Sequence, residues 1–310
     1  MTQQDYKVMS ADRPAERTLS KFLCDLWLLM KPELTLLSVF TSLCSAYLAI
    51  DVPSDSQLIV FPLLAIGTLL IGGGSGALNQ YLEREFDAMM KRTEKRPVPD
   101  ERVSPNEALI FGMVVSLIGA FVLFFINGLT AFLAISTLVT YIFLYTPLKR
   151  ITTLSTIIGA IPGALPTLIG WAAIQNSLSY QSLTLFAILF YWQMPHFYSI
   201  GWLYRNDYTK AGFRLLTSLD NKGLKVARHI VVNQSILVLV GLSPAMVGLV
   251  TMEYIPVALT VGIVFLYFGV RFTLTIRKEA SGASARALFF SSLFYLPIIF
   301  SAMIIYKVNP

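Results

Sequence analysis

The sequence predicts an all-α, polytopic membrane protein of nine transmembrane helices with a cytoplasmic N-terminus. Three observations lead there. Of 310 residues, 55% are hydrophobic and only 14% charged, whereas a soluble domain has roughly 45–50% and about 25%. Apolar stretches near the ~20 residues that span hydrocarbon recur to the end of the chain, without the alternation of a membrane β-barrel. Lys and Arg are confined to alternate connections, which sets the orientation.

Residues 1–30 read as a cytoplasmic N-terminal segment. It has no short apolar core with a cleavage site, so no signal peptide is indicated. Asp5, Asp12 and Glu16 are unlike an acid-poor transit peptide, which favours a bacterial chain. Residues 31–310 read as one transmembrane domain with apolar segments at 32–50, 58–80, 106–126, 129–147, 153–173, 182–204, 230–250, 254–274 and 286–306. Odd-numbered segments are followed by links without Lys or Arg: DVPSDSQ (51–57), ING (126–128), IQNSLSYQ (174–181) and TMEYI (251–255). Even-numbered segments are followed by basic links at 82–105, 148–153, 204–229 and 271–286.

Residues 1–31 hold 5 bases, the basic links 6, 2, 6 and 4, and the C-terminal tail Lys307 alone. So 23 of 24 bases fall on one face, which the positive-inside rule makes cytoplasmic, in a cell inner (plasma) membrane. The net charge of +6 is therefore first an orientation signal, and no nucleic-acid partner is implied. Cys24 and Cys44, in or near the first apolar stretch, read as packing residues rather than a disulfide or metal site.

The stretch NQYLEREFDAMMKRTEKRP (79–97) puts four acids and five bases at the end of the second apolar segment. Asn79, Glu83 and Asp87 are four apart, a step that returns to nearly the same helix face. Such a column of oxygens at a membrane boundary is expensive unless used. Carboxylates with an amide oxygen suit Mg²⁺, which keeps waters and is shared with substrate phosphates. Arg84, Lys91, Arg92, Lys95 and Arg96 can neutralise phosphate oxygens; without the column they would read as a solvated helix end with i,i+4 ion pairs. WLYRNDYTKAG (202–212) offers Arg205, Asp207, Tyr208 and Lys210, a candidate second cation site or the closure of a diphosphate cage. Lys149 and Arg150 follow YIFLYTP, with Tyr145 one turn before Lys149. All three groups fall on the expected cytoplasmic side.

His196 follows Pro195 deep in the sixth apolar segment, where by position alone it reads as a buried, hydrogen-bonded histidine. The glycines of IGGGSGALNQ (71–80) and IIGAIPGALPTLIG (157–170) lie inside apolar segments with no strand before them. They therefore read as close helix packing or space for a flat ligand rather than phosphate loops. Pro162, Pro166 and Pro195 are expected to kink their helices and free carbonyls.

These stretches resemble the UbiA superfamily of intramembrane prenyltransferases. The column resembles its first aspartate-rich motif, N-x-x-x-D-x-x-x-D, with Glu83 where the pattern has aspartate. Asp87, Met90, Arg92, Thr93, Arg96 and Pro97 fit D-x-x-M-x-R-T-x-x-R-P, which resembles the protoheme IX farnesyltransferase (haem O synthase) branch. The same branch is similar in YTPLKRITTLSTIIGAIPGALPTLIGW (145–171), WQMPHF (192–197) and DYTKAG (207–212). Leu203 stands where superfamily relatives often carry another aspartate. The resemblance runs from about KPELT (31–35) through the ninth segment.

It implies a UbiA-type bundle that transfers a farnesyl group from farnesyl diphosphate to a vinyl group of haem b, with Mg²⁺ as cofactor. It assigns Asn79, Asp87, Tyr145, Lys149 and Asp207 to catalysis, and Asn79, Glu83, Asp87 and Asp207 to metal. Arg84, Lys91, Arg92, Arg96, Arg150, Arg205, Lys210 and His196 would hold substrate. The substrate loops would be 82–105 and 204–229, and a haem A synthase or terminal oxidase assembly partner would be compatible. Tyr145, Tyr191, Trp192, Phe197, Tyr198 and Trp202 are the aromatic faces available to an allylic cation. The rival readings are a quinone-precursor acceptor and a transporter; the second would place polar residues at mid-membrane depth on several helices.

Overall fold

The computed structural model describes residues 18–52, 54–276 and 281–308. Most of the N-terminal segment, with Asp5, Asp12 and Glu16, and Arg277 and Lys278 of the last basic link lie outside the described residues. Among those described, a long helix occupies each expected apolar segment. These are α2 (Pro32–Leu48), α3 (Val60–Asp87), α4 (Pro105–Phe124), α5 (Gly128–Leu148), α6 (Ser155–Gln175), α7 (Tyr180–Leu203), α9 (Leu224–Met246), α10 (Tyr254–Thr275) and α11 (Ser281–Ile305). Seven of the nine are long and apolar enough to cross a membrane. The other two are the 17-residue α2 and α7, which carries Gln193 and His196.

Short helices not expected from the apolar segments also form, among them α1 (Leu19–Leu29) and α8 (Arg205–Lys210). At 11 and 6 residues they are too short to span, so a search for spans passes over them. In α1, Leu19, Leu23 and Trp27 are exposed at a spacing of four, the stripe of a helix lying in the membrane interface.

Local chemistry sets the helix ends. Pro32 and Pro105 stand at first helical positions, where the missing N–H costs nothing. Ser104 and Glu107 form a capping box: the Glu107 N–H donates to Ser104 Oγ (3.3 Å), and the Ser104 N–H donates to Glu107 Oε2 (2.7 Å). Asn127 Oδ1 accepts from the Thr130 N–H at the start of α5. Gly223, at φ +70, turns the chain into α9, whose first N–H groups donate to the Asp220 carboxylate. The prolines do not break their helices: α6 runs through Pro162 and Pro166, and α7 through Pro195.

Sequential helices pack side by side: α4 on α3, α3 on α2, α2 on α6, α6 on α7, and α7 on α9 and α11. Lipid tails are as apolar as leucine, so close packing and hydrogen bonds do the holding. A Cβ on Gly119 would stand 2.7 Å from Ile71 N and 2.9 Å from Gly67 O, so α4 lies backbone-close against α3.

The connections separate to two ends of the bundle. At one end Gln175 donates to Ala49 O and Asp51 Oδ2, Gln181 to Val247 O, and Lys307 to Tyr47 O and Ile50 O. These are the links without Lys or Arg and the C-terminal tail. The basic links meet at the other end.

Candidate functional site

α3 organises the site because it carries two kinds of surface on one face. Gly72, Ser75 and Gly76 line a cavity of about 190 Å³ among α2, α3, α5, α6 and α7. At the same helical spacing follow Asn79, Glu83 and Asp87, which are 0%, 5% and 1% exposed. From 72 to 87 this face rises about 22 Å at ~1.5 Å per residue. An apolar cavity thus leads into a buried oxygen column.

Each column residue is held by a base. Lys31 Nζ donates to Asn79 Oδ1 at 2.5 Å. Lys149 Nζ donates to both Glu83 oxygens at 2.7 and 3.0 Å. Arg96 Nη1 pairs with Asp87 Oδ2 at 2.6 Å. The Asn79 amide is also fixed from behind: its Nδ2 donates to Thr146 Oγ1 (2.9 Å), which donates to Tyr141 O (2.9 Å). Thr146 follows a π-helical stretch, Thr140–Tyr145, in α5. Pro147 has no N–H for the carbonyl four residues back, and the turns before it widen. Gly159 makes room for the ring of Tyr145, which a Cβ would approach to 2.4 Å.

Burial and then Arg96 push the pKa of Lys31 well below the ordinary lysine range, against the pull of Glu83. Burial acts on Lys149 in the same sense, but the Glu83 carboxylate outweighs it and raises that pKa. Lys149 therefore stays an ammonium.

The basic links close over this end. Thr93 Oγ1 donates to Asp87 O (2.8 Å) and folds the first link back onto its helix. The Arg214 N–H donates to Lys149 O (2.8 Å), and Arg92 Nη2 to the Tyr208 hydroxyl (3.0 Å). Met90, Ala211 and Phe213 form a small core between the links, with the Arg150 guanidinium over the Phe86 ring at 4.1 Å. The stretches around Asn79, Lys149 and Asp207 therefore lie together.

Not every expected residue joins the cluster. Arg84 turns to Tyr81 O and Glu85, Arg205 stacks on Trp202, and Lys91 and Lys210 are exposed. Among the described residues none hydrogen-bonds or ion-pairs with the Asp207 carboxylate. Of the aromatic candidates, Tyr145, Trp192 and Phe197 line the cavity. Tyr191, Tyr198 and Trp202 pack instead against Phe190, His229 and Phe272. Among the described residues no three His, Cys, Asp or Glu side chains gather as a metal cage. Two carboxylates and an amide oxygen fit Mg²⁺ shared with a diphosphate, not held by protein alone.

α7 contributes Trp192, Gln193 and His196 to the cavity lining. Gln193 Nε2 donates to Ala160 O and Leu189 O (3.2 and 3.0 Å), so its Oε1 is the acceptor left over. Gly163 is needed there, because a Cβ would stand against that oxygen. His196 stacks on Trp192, Phe289 lies tilted against it, and its Nδ1 meets Ser292 Oγ at 2.8 Å. The Ser292 hydroxyl lies 2.5 Å from Phe289 O, and the arrangement that satisfies both contacts has the Ser292 hydroxyl donating to Phe289 O and Nδ1–H donating to Ser292. In neutral imidazole that leaves Nε2 without a proton.

Sequence reasoning missed Lys31, Thr146, Gln193 and Ser292. Lys31 and Thr146 lie within the KPELT and YTPLKR blocks, so the only signal was that these stretches carry the resemblance.

Residues 38–293 match the UbiA prenyltransferase family. The chain is 45% identical to the protoheme IX farnesyltransferase of Solibacter usitatus, over 77% of this chain and 81% of that protein. It is 38% identical to that of Opitutus terrae, over 89% and 92%. The fold is similar to a digeranylgeranylglyceryl phosphate synthase structure, with TM-score 0.74 at 15% identity, covering 92% of this chain and 98% of that one. It is also similar to a UbiA homologue from Archaeoglobus fulgidus bound to GPP and Mg²⁺, with TM-score 0.63 at 12% identity, covering 90% and 99%.

Proposed function

The chain belongs to the UbiA prenyltransferase family, and we propose on that premise that it farnesylates haem b to give haem O. The observation that carries the reading is one cavity whose lining joins two kinds of group. Lys31, which bonds Asn79 of the oxygen column, lines it, and so does a histidine whose hydrogen bonds leave Nε2 open.

The diphosphate of farnesyl diphosphate belongs at the column, with Arg96, Lys149 and Lys31 on its oxygens and Asn79, Glu83 and Asp87 as the metal-facing set. When bound, Mg²⁺ would neutralise the diphosphate and make it a better leaving group. Asp207 we assign to the far side of the same site. The Arg92–Tyr208 contact, which ties its helix to the first link, supports this. Lys91, Arg84, Arg150, Arg205 and Lys210 then form the outer basic field that attracts the anion.

His196 Nε2 is positioned to ligate the haem iron, and Gln193 Oε1 to accept from the ligand. The farnesyl C1–O bond breaks with its electron pair leaving on diphosphate. The outer vinyl carbon bonds to C1, and water adds at the inner vinyl carbon with loss of a proton. Tyr145, Trp192 and Phe197 line the path and keep water from the allylic cation until the carbon bond has formed.

The positive-inside distribution supports placing the column at the cytoplasmic face of the inner membrane. Delivery of haem O to a membrane acceptor, such as a haem A synthase or a terminal oxidase assembly partner, is part of the same proposal.

The test is the mass of haem b after incubation of purified protein with farnesyl diphosphate and Mg²⁺. Addition of a farnesyl group and water is expected, abolished by chelator and reduced about 10²–10³-fold by Asp87→Ala. Unmodified haem together with prenylation of an aromatic acid would sink the proposal.

A further inference from the structure

We propose that Lys149 and Arg96 are resident counter-ions of Glu83 and Asp87, with Lys31 seated on Asn79, and that the three are displaced jointly by divalent metal and diphosphate, so that each ligand binds tightly only with the other. This rests on the diphosphate reading above and adds a coupling that the reading does not require.

The geometry is a set of one-to-one pairings. Asn79 Oδ1 faces Lys31, both Glu83 oxygens face Lys149, and Asp87 Oδ2 faces Arg96, all at 2.5–3.0 Å. A nitrogen at that distance occupies the direction from which a metal ion would approach. The same oxygen cannot serve both, so metal binding requires the bases to withdraw.

Charge decides when they withdraw. Lys149 and Arg96 already balance Glu83 and Asp87, and Lys31 adds a third basic group. A dication entering alone would create surplus positive charge among buried side chains, where solvent screens little. A diphosphate entering alone would meet bases still engaged with carboxylates. An ionised prenyl diphosphate brings about three negative charges. Arriving with the metal, it lets the bases turn from column oxygens to phosphate oxygens while the metal takes the column. Lys149 suits the exchange because its ammonium sits on a flexible stem. Coupling of this kind is reciprocal, each ligand raising the affinity of the other by one factor.

The test is equilibrium dialysis of the full chain in nanodiscs against Mn²⁺, with and without inorganic pyrophosphate. A protein-free chamber corrects for the complex formed in solution. Mn²⁺ is expected to bind at least about tenfold tighter with pyrophosphate present. Lys149→Met frees Glu83 and should bind Mn²⁺ alone about fivefold tighter than wild type, with a smaller pyrophosphate effect. A lysine needed only for structure predicts the opposite sign. Independent binding of the two ligands, or a folded Lys149→Met that gains no affinity for Mn²⁺, overturns the coupling and leaves the diphosphate reading standing. Absence of Mn²⁺ binding under both conditions overturns the reading itself. If Lys149→Met does not fold, Lys31→Met carries the same expectation through Asn79.

Discussion

The hydroxyl of Ser292 has one hydrogen, and Phe289 O takes it. That commitment, made on α11, fixes the tautomer of a histidine on α7. Ser292→Ala removes the acceptor for Nδ1–H and frees the ring to turn or change tautomer. The Kd for haem b, followed by Soret absorbance, should rise about 3–10-fold with the KM for farnesyl diphosphate unchanged; an unaltered Soret titration would detach Ser292 from haem binding. Single residues differed in how far sequence revealed them. Asn79, Glu83 and Asp87 were legible because helical geometry alone puts them on one face. Arg96 reaches Asp87 only after the first link folds back through Thr93. Lys31 points at Asn79 from a residue with φ +51 between α1 and α2. No periodicity encodes either turn.

Elements were legible wherever hydrophobicity sets them. Among the described residues each expected apolar segment holds a helix, seven of them long and apolar enough to cross a membrane, because a run of about 20 apolar residues must satisfy its own backbone. Their ends shifted where polar residues continue the helix: α3 extends through Asp87, and α9 begins at Leu224 under the Asp220 cap. The π-helical stretch of α5 had no signal beyond Pro147. Glycine spacing was readable as close packing, but which neighbour it admits was not. The α3–α4 crossing gives the check. Gly119→Val drives a side chain into Ile71 N and the Gly67 carbonyl, and should cost about 1–3 kcal/mol of unfolding free energy in mixed micelles. Gly128, with nothing within 4 Å of its Cβ position, should accept alanine within about 0.5 kcal/mol. Equal effects at the two sites would mean that the crossing is not tightly packed.

At the scale of the whole molecule, basic and non-basic links collect at opposite ends of the bundle, and the column lies at the basic end. In a cysteine-free background, Met252→Cys should react with a membrane-impermeant maleimide in intact spheroplasts, and Lys222→Cys only after lysis. The reverse pattern would put the site outside. The sequence by itself determined the helices, the alternation of their links and the column, because hydrocarbon permits few backbone solutions and charge resists crossing it. Tertiary structure alone decided which base meets which oxygen and which ring nitrogen of His196 stays open. Those contacts join residues 9 to 96 positions apart, and their partners are chosen by packing rather than by any repeat along the chain.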